Sequence, residues 1–383
     1  MKRPIQIITV ACVCLIVFGC APKARKAGGF MDDPKTHYTQ GMKYFNDDLF
    51  VKAEEEFKLA TSLDAKFGPA YAGLGLVEAQ RGNANKANDN FGKARSLAEK
   101  MPDVYIAHAR GIALLNQGTP VDKWIDKVEE LFEKALKLSP NNAEVFYRRG
   151  VCYKKGMFFK SAARDFAKVL DLKGDYTKEA DEQWQIVQMI ERAAPGTEVG
   201  KKIALVEKIS RSDIAALFIT ELNVTKLIDK KRVKNYETGY QAPTDSRTMK
   251  VDSAISMAAV TDMSGHWAKN FVMDVVDLSI RGLEPYPDHT FHPDQGINRG
   301  EYALMVEDVI VAILRDPSLS TKHIGTTSRF PDVNPSHPAY NAICTAVDKG
   351  ILAAEMNGEF GLIKSVSGPE ALLVIRKLKE LNK

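Results

Sequence analysis

The sequence predicts a mostly α-helical chain. Its first half reads as a superhelix of stacked helix pairs, and its second half as a helical domain with short strands and loops. Three observations lead there. Gly41 and Gly75 stand 34 residues apart, and each is followed at the same offsets by Ala53 or Ala87, Phe57 or Phe91, and Ala60 or Ala94. Prolines, histidines and aspartates then gather between 262 and 338. Finally, Ser210-x-x-Asp213, Asn298-x-x-Glu301 and Ser367-x-x-Glu370 each have the form of a helix capping box.

The N-terminus reads as an export signal. Lys2 and Arg3 precede an apolar run from Ile5 to Phe18, and Gly19, Cys20 and Ala21 follow. The run is shorter than the roughly 20 residues of a membrane-spanning helix. Val17-Phe18-Gly19-Cys20 resembles the lipobox of bacterial lipoproteins. The resemblance implies that Cys20 becomes the lipidated first residue of the mature chain, a membrane anchor stronger than one acyl chain provides. Phe18 departs from the small residue usual at its position. Ala21 and Pro22 after the cysteine look like outer-membrane sorting, with the protein facing the periplasm. Residues 21–33 read as a flexible tether.

Five cysteines are present, but Cys12, Cys14 and Cys20 fall in the signal. Cys152 and Cys344 lie in apolar helical patterns and read as buried thiols. The net charge is +4, with 27% charged residues and no basic tail, so nucleic acid is not expected as a partner.

The 34-residue period continues, less regularly, through Gly111, Phe132, Ala135 and Pro140, then Gly150, Tyr153, Ala162 and Phe166. An insertion near Thr119–Trp124 falls in the loop of the third unit. Over 34–176 the chain resembles the tetratricopeptide repeat, with about four copies. Small residues such as Gly41 and Ala53 let helix backbones approach. Tyr44 and Phe57 fill the space between helices, and units must stack to bury their faces. Residues 177–195 read as a capping helix with Trp184, Ile186, Val187 and Ile190 on one side, ended by Ala194-Pro195-Gly196. The resemblance implies a concave face for peptides or protein segments. A spacer without a fixed ligand stands equally open, since no carboxylate clamp is recognisable.

In the second half, Asp262, His266-Trp267-Ala268, an apolar stretch to Gly282, the loop Tyr286–Pro293 and Ile297-Asn298-Arg299-Gly300-Glu301 follow in order. This resembles the S-layer homology module, placed at 258–316. A degenerate copy over 317–383 has Phe330-Pro331-Asp332, His337-Pro338-Ala339 and Ser367-Gly368-Pro369-Glu370. A partial copy with Ile209–Leu217 lies in 196–257, followed by an insertion over Lys226–Ser256. The resemblance implies a pseudo-threefold arrangement of three modules around a central helix bundle. The missing first front half puts its regularity in question.

The capping boxes explain the serine, asparagine and acids, but not Arg211 and Arg299. A cation in the first helical turn opposes the macrodipole and calls for an anionic partner. The family resemblance implies that this arginine lines a groove for acidic cell-wall glycan. A surface arginine bonding a loop carbonyl is the competing account. Gly368 holds the third position, which implies a groove without that function. Trp267 is either packed core or a face for a sugar ring. Asp288 reads as a turn former or a glycan contact. Asp262 and Asp332 read as caps of the helices that follow them. His289-x-x-His292 lacks the remaining ligands of a zinc set.

No paired carboxylates, nucleophile elbow or metal set point to an enzyme or a cofactor. The sequence therefore predicts a non-enzymatic envelope lipoprotein. It would be held to the membrane through Cys20 and to peptidoglycan or wall polymer through its S-layer homology modules, with an unidentified protein partner on the repeats. The alternative is an assembly or secretion accessory whose second half docks on protein. A wall enzyme is the third reading.

Overall fold

The computed structural model describes residues 28–29, 32–116, 123–228 and 260–383. The signal with Cys20, most of the tether, part of the Thr119–Trp124 insertion and most of the 226–256 insertion lie outside the described residues. The chain divides into two compact units, up to Val145 and from Phe146 onward. The division falls inside the fourth repeat, whereas the sequence suggested a break after residue 195. Among the described residues no helix is long and apolar enough to cross a membrane.

The first unit is built from three helix pairs: α1 (Pro34–Asn46) with α2 (Phe50–Leu63), α3 (Gly68–Gln80) with α4 (Ala84–Leu97), and α5 (Pro102–Leu115) with α6 (Ile125–Leu138). Asp33 caps α1 by accepting from the Lys35 and Thr36 amides, and Pro34, Pro69 and Pro102 occupy first turns, where a missing N–H costs nothing. The repeating phenylalanines hold the pairs together. Phe57 and Phe91 are fully buried. Phe57 is clasped between Gly41 of its own pair and Gly73 of the next, and Phe91 between Gly75 and Gly111. A Cβ at Gly75 would stand 2.6 Å from the Phe91 ring, so only glycine allows this approach. Ala53, Ala60, Ala87 and Ala94 are buried where the helices cross. Phe45, and not Tyr44, is the aromatic buried on α1. Tyr44 is half-buried under the Lys52 ammonium.

The second unit begins within α7 (Ala143–Lys155), which pairs with α8 (Phe159–Leu172). Here Phe166 meets Gly150, and Arg149 makes a two-pronged ion pair with Asp165, both contacts at 2.7 Å. Helix α9 (Thr177–Ala193) packs on α8 with Val187 and Ile190 buried, while Trp184 lines a shallow groove at the surface. A terminal cap of a repeat stack keeps one face polar. The structure differs, because α9 also packs against α15 (Gly368–Leu381), the last helix of the chain. It joins the fourth pair to the C-terminal domain instead of ending a stack.

The remaining helices are α10 (Glu198–Ile203), α11 (Arg211–Leu217), α12 (Lys269–Leu278), α13 (Arg299–Leu314) and α14 (Tyr340–Asp348). Phe218–Leu222 extends α11 as a π-helical turn. Isolated bridges tie Ser210 to Gly296 and Asn298 to Ser365. One apolar core runs from Ile190 on α9 to Leu378 on α15, and includes Tyr302, Phe291, Tyr340 and Phe360. Cys344 sits in it, and Cys152 is buried in α7. Two carboxylates are buried with it. Glu221 accepts from the Gly196 and Thr197 amides, the Thr197 hydroxyl and Lys379, which fixes the start of α10 against α15. Glu307 on α13 accepts from Arg281 and from Asn341 on α14.

Phe91 is fully buried and clasped between two glycines, so Phe91→Ala is expected to lower stability by about 3–5 kcal/mol. Urea unfolding followed by helical circular dichroism should register this as an earlier transition. An unchanged midpoint would contradict the clasp.

Candidate functional site

The C-terminal domain closes on three short segments. The Ile209 amide donates to the Val366 carbonyl (3.0 Å), Ile297 to Ile209 (3.1 Å), and Val366 to Ile297 (3.3 Å). The three bonds form a ring, and all three side chains are buried. Each ring residue is followed by a helix cap: Ser210 for α11, Asn298 for α13 and Ser367 for α15. The next amides also match, with Arg211 bonding Gln295, Arg299 bonding Lys364, and Gly368 bonding Val206. The segment that begins at Ile209, read from the sequence as a partial copy, thus closes the ring with the other two.

Helix α10 stands where that copy lacks its front half. A Cβ at Gly368 would lie 1.8 Å from the Ile203 carbonyl oxygen, so no arginine fits the third position.

The two arginines are inserted under the loop of the following module. Arg211 is 7% exposed. Its Nε donates to the Phe291 carbonyl (2.8 Å), Nη1 to Gly282 (2.7 Å) and Nη2 to Glu284 (2.9 Å). The guanidinium lies 4.6 Å from the Phe291 ring centroid and 5.1 Å from that of Tyr286. Burial pulls its pKa below the ordinary arginine value, opposed by Tyr286 and the carboxylates of Glu301, Glu284 and Asp262. Arg299 repeats the arrangement with Phe360 Oand Ala353 O (2.9 and 2.8 Å) and adds an ion pair to Glu370. The anionic partner that the helix dipole called for is therefore inside the chain for Arg299. For Arg211 it is a set of carbonyl dipoles and ring faces.

This changes the third capping box. Those at Ser210–Asp213 and Asn298–Glu301 are complete. At Ser367 the hydroxyl accepts from the Glu370 amide, but the Glu370 carboxylate turns to Arg299.

Asp262 and Asp332 do not cap the helices that follow them. Asp262 accepts from the Phe291 and His292 amides (2.8 and 2.7 Å). Asp332 accepts from Phe360, Gly361 and Leu362 (2.8, 2.8 and 3.0 Å). Each clamps the end of its own module's loop, about 30 residues on, and the equal spacing was the signal in the sequence. Neither α12 nor α14 has a side-chain cap, and a histidine stands just ahead of each. His266 Nδ1 accepts from the Ala268 amide (3.2 Å) and His337 Nδ1 from Ala339 (3.1 Å).

Of the candidate glycan contacts, Trp267 is 55% exposed and touches the rings of His266 and Phe271. It is not core. Asp288 is exposed and accepts from the Thr290 amide and hydroxyl (3.0 and 2.6 Å), which makes the turn expected of it. The loop carrying Asp288 is the one Arg211 supports, whereas Arg299 belongs to the next junction. Asp288 and Arg211 thus share one junction, and Arg299 stands at the next. In the same loop, His292 Nε2 lies 3.0 Å from the Thr290 hydroxyl. Among the described residues no group of three His, Cys, Asp or Glu side chains is placed to hold a metal.

Three segments are thus closed through a backbone ring, and two of the junctions between them are stapled by arginines. The S-layer homology domain family matches residues 261–303 and 329–361. The match leaves out Ile209–Leu217, the segment read from the sequence as a partial copy and joined to the other two in the ring. A solved structure described as "Functional Characterization of Pseudomonas Aeruginosa pilF" is similar at 15% identity, covering 43% of this chain and 93% of its own, with a TM-score of 0.21. No curated protein matches the chain.

Two outcomes follow. Burial would raise the Asp332 pKa, but the amides of Leu362, Phe360 and Gly361 outweigh it and hold the carboxyl below its ordinary value of 3.8. The stability it supplies is complete above that value and fades as pH falls through the lower folded one. Asp332→Asn should thus show a flatter acid limb in a pH series of melting temperatures, and an identical limb would exclude the clamp. Arg299→Met strands Glu370 and two carbonyls and should cost about 2–3 kcal/mol. The double variant Arg299→Met, Glu370→Met should recover part of that loss in guanidinium unfolding.

Proposed function

We propose that this chain is a non-enzymatic tether of the cell envelope. Lipid on Cys20 would hold one end in the outer membrane, and the S-layer homology modules would hold peptidoglycan or an attached acidic polymer. The repeats between would present a protein-binding surface. The observation that carries this reading is the closure of three modules through Ile209, Ile297 and Val366, joined to the family match over two of them. Two weak attachments on one chain reinforce each other, since the second forms at high effective concentration.

On this reading the wall-facing residues are Trp267 and Asp288, with Arg211 and Arg299 beneath the loops. Trp267 is the strongest of the four, because an exposed indole next to a module loop offers a face to a sugar ring. The arginines act by holding the loops.

The test is sedimentation with purified wall sacculi, using the chain from residue 21 so that α9 keeps its contact with α15. The chain should pellet. Trp267→Ala should weaken binding about tenfold, the equivalent of one lost aromatic contact of roughly 1.4 kcal/mol. If the unmodified chain stays in the supernatant with sacculi of its own organism, wall attachment is wrong, and the accessory reading, in which the modules dock on protein, takes its place. Radiolabelled palmitate incorporation, lost in Cys20→Ser, tests the lipid end separately.

A further inference from the structure

The first unit contains a cleft of about 590 Å³ away from the S-layer homology modules. Helices α4 and α6 form its walls, and α5 its floor. It is lined by the second helices of two successive pairs and by the first helix between them. Four cations line it, against one carboxylate. Arg95 comes from α4, while Lys123, Lys127 and Lys134 come from α6 or the turn before it. The carboxylate is Glu130, which bonds Lys134 at 2.6 Å. The net charge is positive and concentrated on two facing walls.

Two polar atoms in this cleft are buried without a partner. One is Arg95 Nε and the other His108 Nδ1. His108 is stacked on the Phe91 ring, 4.7 Å between centroids, so its ring is fixed. Burial, then the charges of Arg95 and Lys134, pull its pKa down to about 4. It is neutral at physiological pH and does not add to the repulsion. Buried polar atoms without partners are uncommon in folded chains, and each calls for an explanation. Ile112, Leu131 and the largely buried Trp124 supply apolar surface beside them.

We propose that this cleft binds a short acidic segment of a partner protein, with an Asp or Glu carboxylate taken by Arg95 and the α6 lysines and an apolar side chain seated on Ile112 and Leu131. The arginine fork suits a carboxylate better than a point charge does. The apolar floor beside it favours a peptide over a bare anion, which has nothing to place there. The inference rests on the reading of the repeats as a protein-binding surface. It is independent of wall attachment.

The probe is a fluorescein-labelled octapeptide of alternating Glu and Leu, titrated into the chain from residue 21 and read by polarisation. Binding should be saturable. Lys127→Glu with Lys134→Glu should weaken it by about tenfold or more, as loss of charge complementarity predicts. Both lysines are exposed, so this variant keeps its fold. Arg95→Gln should weaken it as well. On peptide binding, the NMR titration of His108 should move to higher pH, because a carboxylate then sits beside it.

Three results would overturn the proposal. The variants could bind as tightly as the parent chain, the Lys-for-Glu peptide could bind equally well, or inorganic phosphate at the same concentration as the peptide could displace it. Each of these would remove the cleft while leaving the protein-binding reading of the repeats intact.

Discussion

The C-terminal domain depends on three amide-to-carbonyl bonds among Ile209, Ile297 and Val366. Each bond joins segments that are far apart in sequence, and each lies among buried side chains. A buried backbone group without a partner is costly, so the three segments satisfy one another only when all are present. Closure is therefore cooperative. Once the ring forms, the caps at Ser210, Asn298 and Ser367 point α11, α13 and α15 into one shared core.

The arginines extend this logic outward. A buried guanidinium is costly unless its donors are taken. Arg211 meets that requirement with three carbonyls and two ring faces, and Arg299 with two carbonyls and Glu370. Both bind the loop of the following module, so they fix the spacing between modules. A ligand at a junction would meet loops already held in place. The arginines would then govern binding through loop geometry as much as by direct contact. At the third position, α10 fills the space with backbone, and Gly368 follows from sterics.

The link between repeats and modules has a similar basis. Helix α9 is apolar on more than one side, with Ala180, Val187, Ile190 and Ala193 buried. Such a helix needs two neighbours, and it has them in α8 and α15. This explains why the second compact unit begins inside the fourth repeat.

Much of this was legible in the sequence. The 34-residue period fixed the helix pairs, because glycine, alanine and phenylalanine at those offsets meet only in one packing. The capping boxes fixed the starts of α11 and α13, because a cap is a local interaction within four residues. The sequence also marked Arg211 and Arg299 as anomalous, from the helix dipole alone. It did not show where their charge goes, since Phe291, Glu284, Ala353 and Glu370 are brought near only by the fold. For the same reason Asp262 and Asp332 read locally as caps, when their partners lie some 30 residues on. Local chemistry decided the helices and their ends. Only the tertiary structure decided the ring, the arginine staples and the cleft beside His108, because each is made of residues that the chain separates and packing brings together.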